Sequence, residues 1–176
     1  MEDLSLHILD VAENSVAAQA SRIEIRLAED KKLDVLSIEV IDNGIGMDEE
    51  TQKRALDPFF TTKKTRRFGL GLSLLSESAK AANGYLSLSS KKGKGTRIKA
   101  VFQSSHIDRR PLGNIGQTII ALVIGNPDID FIYIHKQNGH KYVFDTRKIR
   151  AQLKDTPINS LAGMRMIKEE LRKDPK

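Results

Sequence analysis

Residues 42–47 of the chain read Asp-Asn-Gly-Ile-Gly-Met, and this stretch decides the fold. It directly follows a strand pattern whose apolar positions are Leu36, Ile38 and Val40. Because side chains alternate along a strand, Asp42 is predicted to face the core with them. A core-facing carboxylate is costly unless a donor meets it, and the two glycines let a flat ligand approach the backbone. Asp42 therefore either satisfies the amides of its own turn or binds a ligand.

Thr96 shows the same geometry as Asp42. It lies in phase with Ile98, Ala100 and Phe102 on a second predicted strand, so its hydroxyl also faces inward. An inward aspartate and an inward threonine together suit a base that bears an exocyclic amine, as adenine does.

The predicted helix over residues 4–18 carries two polar residues four positions apart. Asp10 and Asn14 share one face of it, and the small residues Ala17 and Ala18 follow one turn later. An amide oxygen suits Mg²⁺, and a carboxylate one turn away can orient a water or accept a proton. The alternative is a polar stripe on an exposed helix face.

A Gly-Leu-Gly-Leu run over residues 69–72 opens a further predicted helix. Free N–H groups at a helix start favour phosphate, and glycines permit its close approach. The basic segment before it contains Lys63, Lys64, Arg66 and Arg67, which either neutralise a polyphosphate or form a solvated loop.

These segments, taken in order, resemble the motifs of the histidine-kinase-like (GHKL) ATPase superfamily over residues 1–103. Residues 10–18 look like its asparagine-bearing helix, and residues 42–47 are similar to its adenine-reading box. Residues 57–63, Asp-Pro-Phe-Phe-Thr-Thr-Lys, resemble the Phe box of histidine kinases. Residues 69–73 and 95–96 resemble the later glycine boxes.

The resemblance implies an α+β fold: a two-layer sandwich of the Bergerat type, with a mixed sheet and helices on one face. It implies that Asn14 holds Mg²⁺, that Asp42 bonds the adenine amino group, that Asp10 is catalytic, and that a short lid covers Mg-ATP. The expected ATP-binding positions are Asn14, Asp42, Gly44, Gly46, Met47, Phe60, Lys63, Gly69, Leu70, Gly71, Leu72 and Thr96.

Two departures from the family pattern bear on function. Asp10 stands where the ATP-hydrolysing branch and the serine kinases usually have Glu and histidine kinases often have Asn. Because the asparagine-bearing helix begins near residue 4, we also expect no dimerising helix with a phospho-accepting histidine before the domain. We therefore expect a kinase that phosphorylates a separate protein. The alternatives are a slow ATPase that switches a partner and a non-catalytic nucleotide sensor.

Composition and charge bound the remaining possibilities. The 176-residue chain lacks cysteine, which excludes disulfides, and its longest apolar run, Ile119–Ile124, is too short to cross a bilayer. A cytoplasmic protein without membrane contact is expected, and the sequence leaves its oligomeric state open.

The apolar strand and helix pattern is interrupted by polar residues at 104–111. We therefore expect a second, small α+β domain over residues 104–176. This segment has 13 basic and 8 acidic residues, against 16 and 15 in residues 1–103. It is predicted to dock a protein partner, or else to have an ordinary solvated surface. Nucleic-acid binding is not expected, because Phe131 and Tyr133, which alternate on a strand, suit a core better than a stacking surface.

Overall fold

The computed structural model describes residues 2–57, 59 and 70–175. Within these residues the chain forms six helices and six strands. The helices are α1 (Leu4–Ala17), α2 (Glu49–Arg54), α3 (Leu70–Ala81), α4 (Ile115–Gly125), α5 (Thr146–Leu153) and α6 (Leu161–Leu171). The strands are β1 (Arg22–Asp30), β2 (Val35–Asp42), β3 (Tyr85–Lys91), β4 (Gly95–Gln103), β5 (Asp130–Gln137) and β6 (His140–Asp145).

All six strands form one mixed sheet in the order β3-β4-β2-β1-β5-β6. β1 pairs with β5 in parallel, and the other neighbouring strands are antiparallel. The inward side chains of the strands are buried in one core with α1, α3 and α4, and the last two helices pack against the same core. The expected mixed sheet with helices on one face is therefore confirmed. No helix in the described part of the chain is both long and apolar enough to cross a membrane.

The structure does not show the separate C-terminal domain that the sequence analysis expects. β5 pairs with β1 along its whole length, from Arg22 opposite Asp130 to Glu29 opposite Gln137. Phe131 and Tyr133 are each 1% exposed in the common core, which confirms their predicted core role. The polar segment before α4 is a connection that runs past the start of α1, rather than a boundary between two cores.

A cluster of polar side chains anchors the C-terminal end of the chain on β5. Asp174 accepts hydrogen bonds from the hydroxyl of Tyr133 (3.0 Å) and pairs with Nδ1 of His135 (2.7 Å). The neighbouring Tyr142 donates its hydroxyl to the carbonyl of Glu170 (2.6 Å). The hydrogen bond to Asp174 raises the pKa of the buried His135 above its ordinary value. The Asp174–His135 contact thus fastens the segment after α6 to the sheet.

A single core across the whole sheet predicts a single unfolding transition. We expect Phe131→Ala, in the C-terminal half, and Ile38→Ala, in the N-terminal half, each to lower the stability of the entire chain. Removing a buried phenylalanine costs about 3–5 kcal/mol, and removing a buried isoleucine about 2–5 kcal/mol. Chemical denaturation followed by circular dichroism would show one shifted transition for both variants. Two transitions, of which each variant moves only one, would contradict a common core.

Candidate functional site

The carboxylate of Asp42 is buried where β2 ends. Asp42 is 8% exposed, and both of its oxygens receive hydrogen bonds. The hydroxyl of Ser15 donates to Oδ2 (2.6 Å), and the amide of Gly44 donates to Oδ1 (2.9 Å). The bond from Gly44 is the turn interaction that the sequence suggested. The bond from Ser15 comes from α1 and orients the carboxylate further, while each oxygen keeps lone-pair capacity for another donor.

The glycine positions around Asp42 leave no room for a side chain. A Cβ on Gly44 would lie 2.6 Å from the carbonyl oxygen of Ala18, and one on Gly46 would lie 2.1 Å from that of Lys91. Gly46 has a φ of +68° and Gly95 a φ of +103°, which other residues rarely adopt. The turn is also fixed by a hydrogen bond from the amide of Ile45 to Ala18 (2.9 Å). Glycine at these positions therefore keeps the backbone close-packed beside the buried carboxylate.

Ser90, at the end of β3, connects the turn to β4. Its hydroxyl accepts from the amide of Met47 (2.8 Å), donates to the carbonyl of Gly95 (2.9 Å) and lies 2.8 Å from the hydroxyl of Thr96. Thr96 is directly opposite Asp42 in the sheet register. The structure thus brings Asp42, Met47 and Thr96 together, as the sequence indicated, through a serine that it had not singled out.

Asp10 and Asn14 lie on α1, one turn apart, and both are partly buried. Asp10 faces the first turn of α3, since a Cβ added to Gly71 would lie 3.3 Å from the Cβ of Asp10. The side-chain amide of Asn14 forms no hydrogen bond with a described residue. Because Ser15 is the next residue after Asn14, α1 links the buried carboxylate of Asp42 to the start of α3.

The start of α3 is described only in part. Leu70 is 41% exposed, Gly71 is buried against α1, and Leu72 packs on the core. The predicted ATP-binding residues Phe60, Lys63 and Gly69 lie outside the described residues, as do Lys64, Arg66 and Arg67 of the predicted basic segment. Among the residues that are described, no three carboxylate or histidine side chains are grouped to hold a metal ion.

Two serines of the site were missed as functional residues. Ser15 continues the apolar row of α1, and Ser90 continues the inward row of β3. A hydroxyl in an otherwise apolar row was the available signal that a buried polar partner lies opposite. His7 is also buried on α1, with neither ring nitrogen bonded to a described residue. Burial, followed by the nearby Arg110, lowers the pKa of His7 and favours its neutral form.

The bond from Ser15 to Asp42 can be tested against a buried serine that lacks such a bond. Ser15→Ala would leave one oxygen of a buried carboxylate unsatisfied, so we expect a loss of about 1–3 kcal/mol in stability. Ser78 is buried too, but its hydroxyl has no hydrogen-bond partner among the described residues. Ser78→Ala is the matched control and should be neutral or stabilising. Equal losses in urea unfolding would show that the Ser15–Asp42 bond adds nothing.

Comparison with known proteins agrees with this arrangement. Residues 2–106 match the family described as histidine kinase-, DNA gyrase B-, and HSP90-like ATPase. A putative sensor protein of Shewanella frigidimarina is 35% identical over 109 residues, which cover 61% of this chain and 16% of that protein. The sensor histidine kinase YxdK of Bacillus subtilis is 34% identical over 106 residues, or 56% of this chain and 32% of that one. The chain thus spans at most about a third of these two relatives.

Solved structures with the same fold extend the similarity beyond the family match. The N-terminal domain of a DNA repair protein superposes with a TM-score of 0.60 at 20% identity, over 94% of this chain and 59% of that one. The MutL ATPase domain of Aquifex aeolicus, complexed with ADP, gives a TM-score of 0.53 at 13% identity, over 82% of this chain and 63% of that one. At such identities the likeness concerns the fold alone. From the match over residues 2–106 and the mixed sheet, the chain belongs to the family of histidine kinase-, DNA gyrase B- and HSP90-like ATPases.

Proposed function

We propose that this chain binds Mg-ATP and transfers the γ-phosphoryl group to a hydroxyl of a separate protein. The observation that carries the proposal is the position of Asp10. Its carboxylate lies on α1 beside Gly71 and one turn from Asn14, on the same helix whose Ser15 orients Asp42. A proton acceptor, a candidate metal ligand and a base-binding carboxylate thus lie along one helix.

The Asp42 pocket suits the adenine base. The exocyclic amine of adenine is a donor, and the buried carboxylate of Asp42 can accept from it while it retains the bonds from Ser15 and Gly44. Thr96, on the adjacent strand, supplies a second polar group at the same depth. Gly44 and Gly46 let the turn pack tightly against Ala18 and Lys91, which keeps the backbone beside Asp42 in a fixed position for the base.

Asn14 fits the role of a magnesium ligand. Its amide has no hydrogen bond to a described residue, and it is partly exposed beside Asp10, so its oxygen is available to a cation. Mg²⁺ typically binds through one or two protein groups together with phosphate oxygens and waters, so the lack of a larger ligand cluster among the described residues agrees with this role. When bound, the ion would neutralise charge on the phosphates.

Asp10 supplies the general base. As the acceptor oxygen forms its bond to the γ-phosphorus and the bond to ADP breaks, the hydroxyl proton passes to the carboxylate of Asp10. A carboxylate suits the activation of a hydroxyl, whereas an amide at this position could not accept a proton. This chemistry favours a hydroxyl acceptor on the partner protein over a histidine.

A slow ATPase that switches a partner is the second candidate, and the attachment of α1 favours it. The amides of Leu4 and Ser5 donate to the carbonyls of Pro111 and Leu112 (2.9 Å each), and the hydroxyl of Thr118 donates to the carbonyl of Ser5 (3.3 Å). The helix that carries Asp10 is therefore tied to the C-terminal half. In this candidate Asp10 orients a water. A movement of α1 during nucleotide turnover would then be transmitted to α4 through these hydrogen bonds.

Adenine recognition can be tested with Asp42→Asn. The substitution replaces an acceptor by a mixed donor and acceptor, so we expect ATP affinity to fall about 10- to 100-fold, the equivalent of one charge-assisted hydrogen bond. Asp48→Asn is the matched control, because Asp48 caps α2 on the surface and loses the same charge. Calorimetric titration with Mg-ATP would measure both variants. Unchanged affinity in Asp42→Asn would refute the adenine assignment.

The reaction can be tested with Asp10→Asn, which keeps the shape and removes the base. Purified protein would be incubated with γ-labelled ATP and Mg²⁺, alone and with an extract of the source cells. We expect a labelled protein in the extract, reduced about 10²- to 10⁴-fold with Asp10→Asn, although that variant still binds ATP. An extract without added protein provides the background.

Each other outcome selects a different function. Free phosphate from the purified protein, without a labelled acceptor, would establish the slow ATPase. ATP bound and recovered intact under both conditions would leave a nucleotide sensor. Equal labelling by wild type and Asp10→Asn would remove Asp10 from the mechanism.

A further inference from the structure

The face of the sheet opposite the helices carries a transverse row of side chains that the ATP site does not use. One residue from each strand contributes, and the printed register places them side by side. The row, called the cross-strand row below, consists of Tyr85, Val101, Ser37, Ala28, Lys136 and Lys141. With strands about 4.8 Å apart, it is about 24 Å long.

The middle of the cross-strand row is a depression. Ala28 and Ser37 have the shortest side chains of the row, and the row is bordered at the β1–β2 turn by Leu33, which is 72% exposed. A groove of about 550 Å³ lies over Ala28 and Ser37 and reaches Lys136 and Lys141. A smaller concavity of about 300 Å³ shares Leu33 and extends to Tyr85 and Val101. The row is thus apolar at one end and cationic at the other.

The two lysines at the cationic end lie directly opposite each other. Lys136 on β5 pairs in register with Lys141 on β6, and both are exposed. Like charges in directly opposite positions destabilise an antiparallel pair. Neither ammonium forms an ion pair with a described residue. The arginines Arg26 and Arg97 on the same face are balanced by two carboxylates. Arg26 pairs with Glu24 and Glu39, and Arg97 pairs with Glu39.

The acidic side chains at this end of the sheet are already bonded. Asp30 accepts hydrogen bonds from the amides of Lys32 (2.9 Å) and Leu33 (3.0 Å). Asp34 accepts from the hydroxyl of Ser105 (2.7 Å) and from Gln103 (3.0 Å). Glu29, which also borders the groove, lies 3.5 Å from Nε2 of His135. None of these carboxylates forms an ion pair with Lys136 or Lys141, so both ammonium groups favour an external anion.

We infer that the cross-strand row docks an acidic segment of a partner protein, with carboxylates at Lys136 and Lys141 and an apolar side chain at Tyr85 and Val101. Charge complementarity selects this occupant, since the two opposed lysines repel each other until an anion lies between them. The apolar end, with Tyr85 56% exposed, favours a peptide over a free anion or a nucleic-acid backbone.

The docking surface is separate from the nucleotide site. Ser37 precedes Asp42 by five residues on β2, a separation of about 16 Å along the strand, and its side chain lies on the opposite face. The inference therefore does not depend on what the chain does with ATP. A partner bound there leaves Asp42, Asn14 and Asp10 uncovered.

The test measures binding of a fluorescein-labelled peptide that has leucines at one end and consecutive glutamates at the other. The comparison probes are a peptide with lysines in place of the glutamates and a labelled single-stranded oligonucleotide. The test variant is the double substitution K136Q and K141Q in the full chain. The control is the double substitution K148Q and K168Q, which changes net charge equally on the exposed surfaces of α5 and α6.

We expect the acidic peptide to bind wild type in fluorescence anisotropy and to bind the K136Q and K141Q variant at least about tenfold more weakly. The control variant should bind it as wild type does. Because the substitution removes a repulsive pair, the test variant should unfold at the same or a higher temperature, so weaker binding cannot be ascribed to misfolding.

Three results would overturn the inference. The first is no binding of the acidic peptide to wild type. The second is an equal loss in the test and control variants, which would reduce the effect to net charge. The third is tighter binding of the oligonucleotide that depends on Lys136 and Lys141, which would assign the surface to nucleic acid.

Discussion

The buried carboxylate of Asp42 holds three parts of the molecule in register. It lies at the end of β2, receives a bond from α1 through Ser15 and receives another from the glycine turn through Gly44. A buried charge is tolerated only where donors surround it, so each of these parts must keep its position for the carboxylate to stay there. Thr96 lies opposite Asp42 in the sheet, and Ser90 is hydrogen-bonded both to Thr96 and to the turn at Met47. The geometry of the candidate site is therefore a consequence of how the carboxylate of Asp42 is satisfied.

Much of this architecture could be predicted from local sequence signals. Asp48, Asp145 and Ser160 are residue types that favour helix caps, and each accepts a hydrogen bond from an amide of the helix that it precedes. The Asn138-Gly139 pair is a sequence typical of tight hairpin turns, and both residues have a positive φ. These features depend on contacts within a few residues, so a single sequence is enough to indicate them.

Other features depend on contacts between distant residues and could not be predicted in this way. The strand pattern of residues 130–137 gives no sign that its partner is β1, more than a hundred residues earlier in the chain. The apolar alternation would be the same in a separate small domain. Ser15 was visible as a hydroxyl in an apolar row, but only the fold shows that the carboxylate of Asp42 lies opposite. The nucleotide-binding and catalytic roles of all the predicted site residues stay predictions, and Phe60, Lys63 and Gly69 also lie outside the described part of the chain.

The parallel pairing of β1 with β5 has a consequence for biosynthesis. Until residues 130–137 emerge from the ribosome, β1 is the edge of a four-stranded sheet and presents unpaired N–H and C=O groups. At a synthesis rate of about 5–20 residues per second, the stretch from the end of β4 to the end of β5 takes roughly 2–7 s, long compared with most local folding events. During it, the nascent edge is open to pairing with other chains. β5 and β6 thus protect the edge of β1, but they are synthesised last. A fragment that ends near residue 103 would keep β1 as an unpaired edge strand permanently.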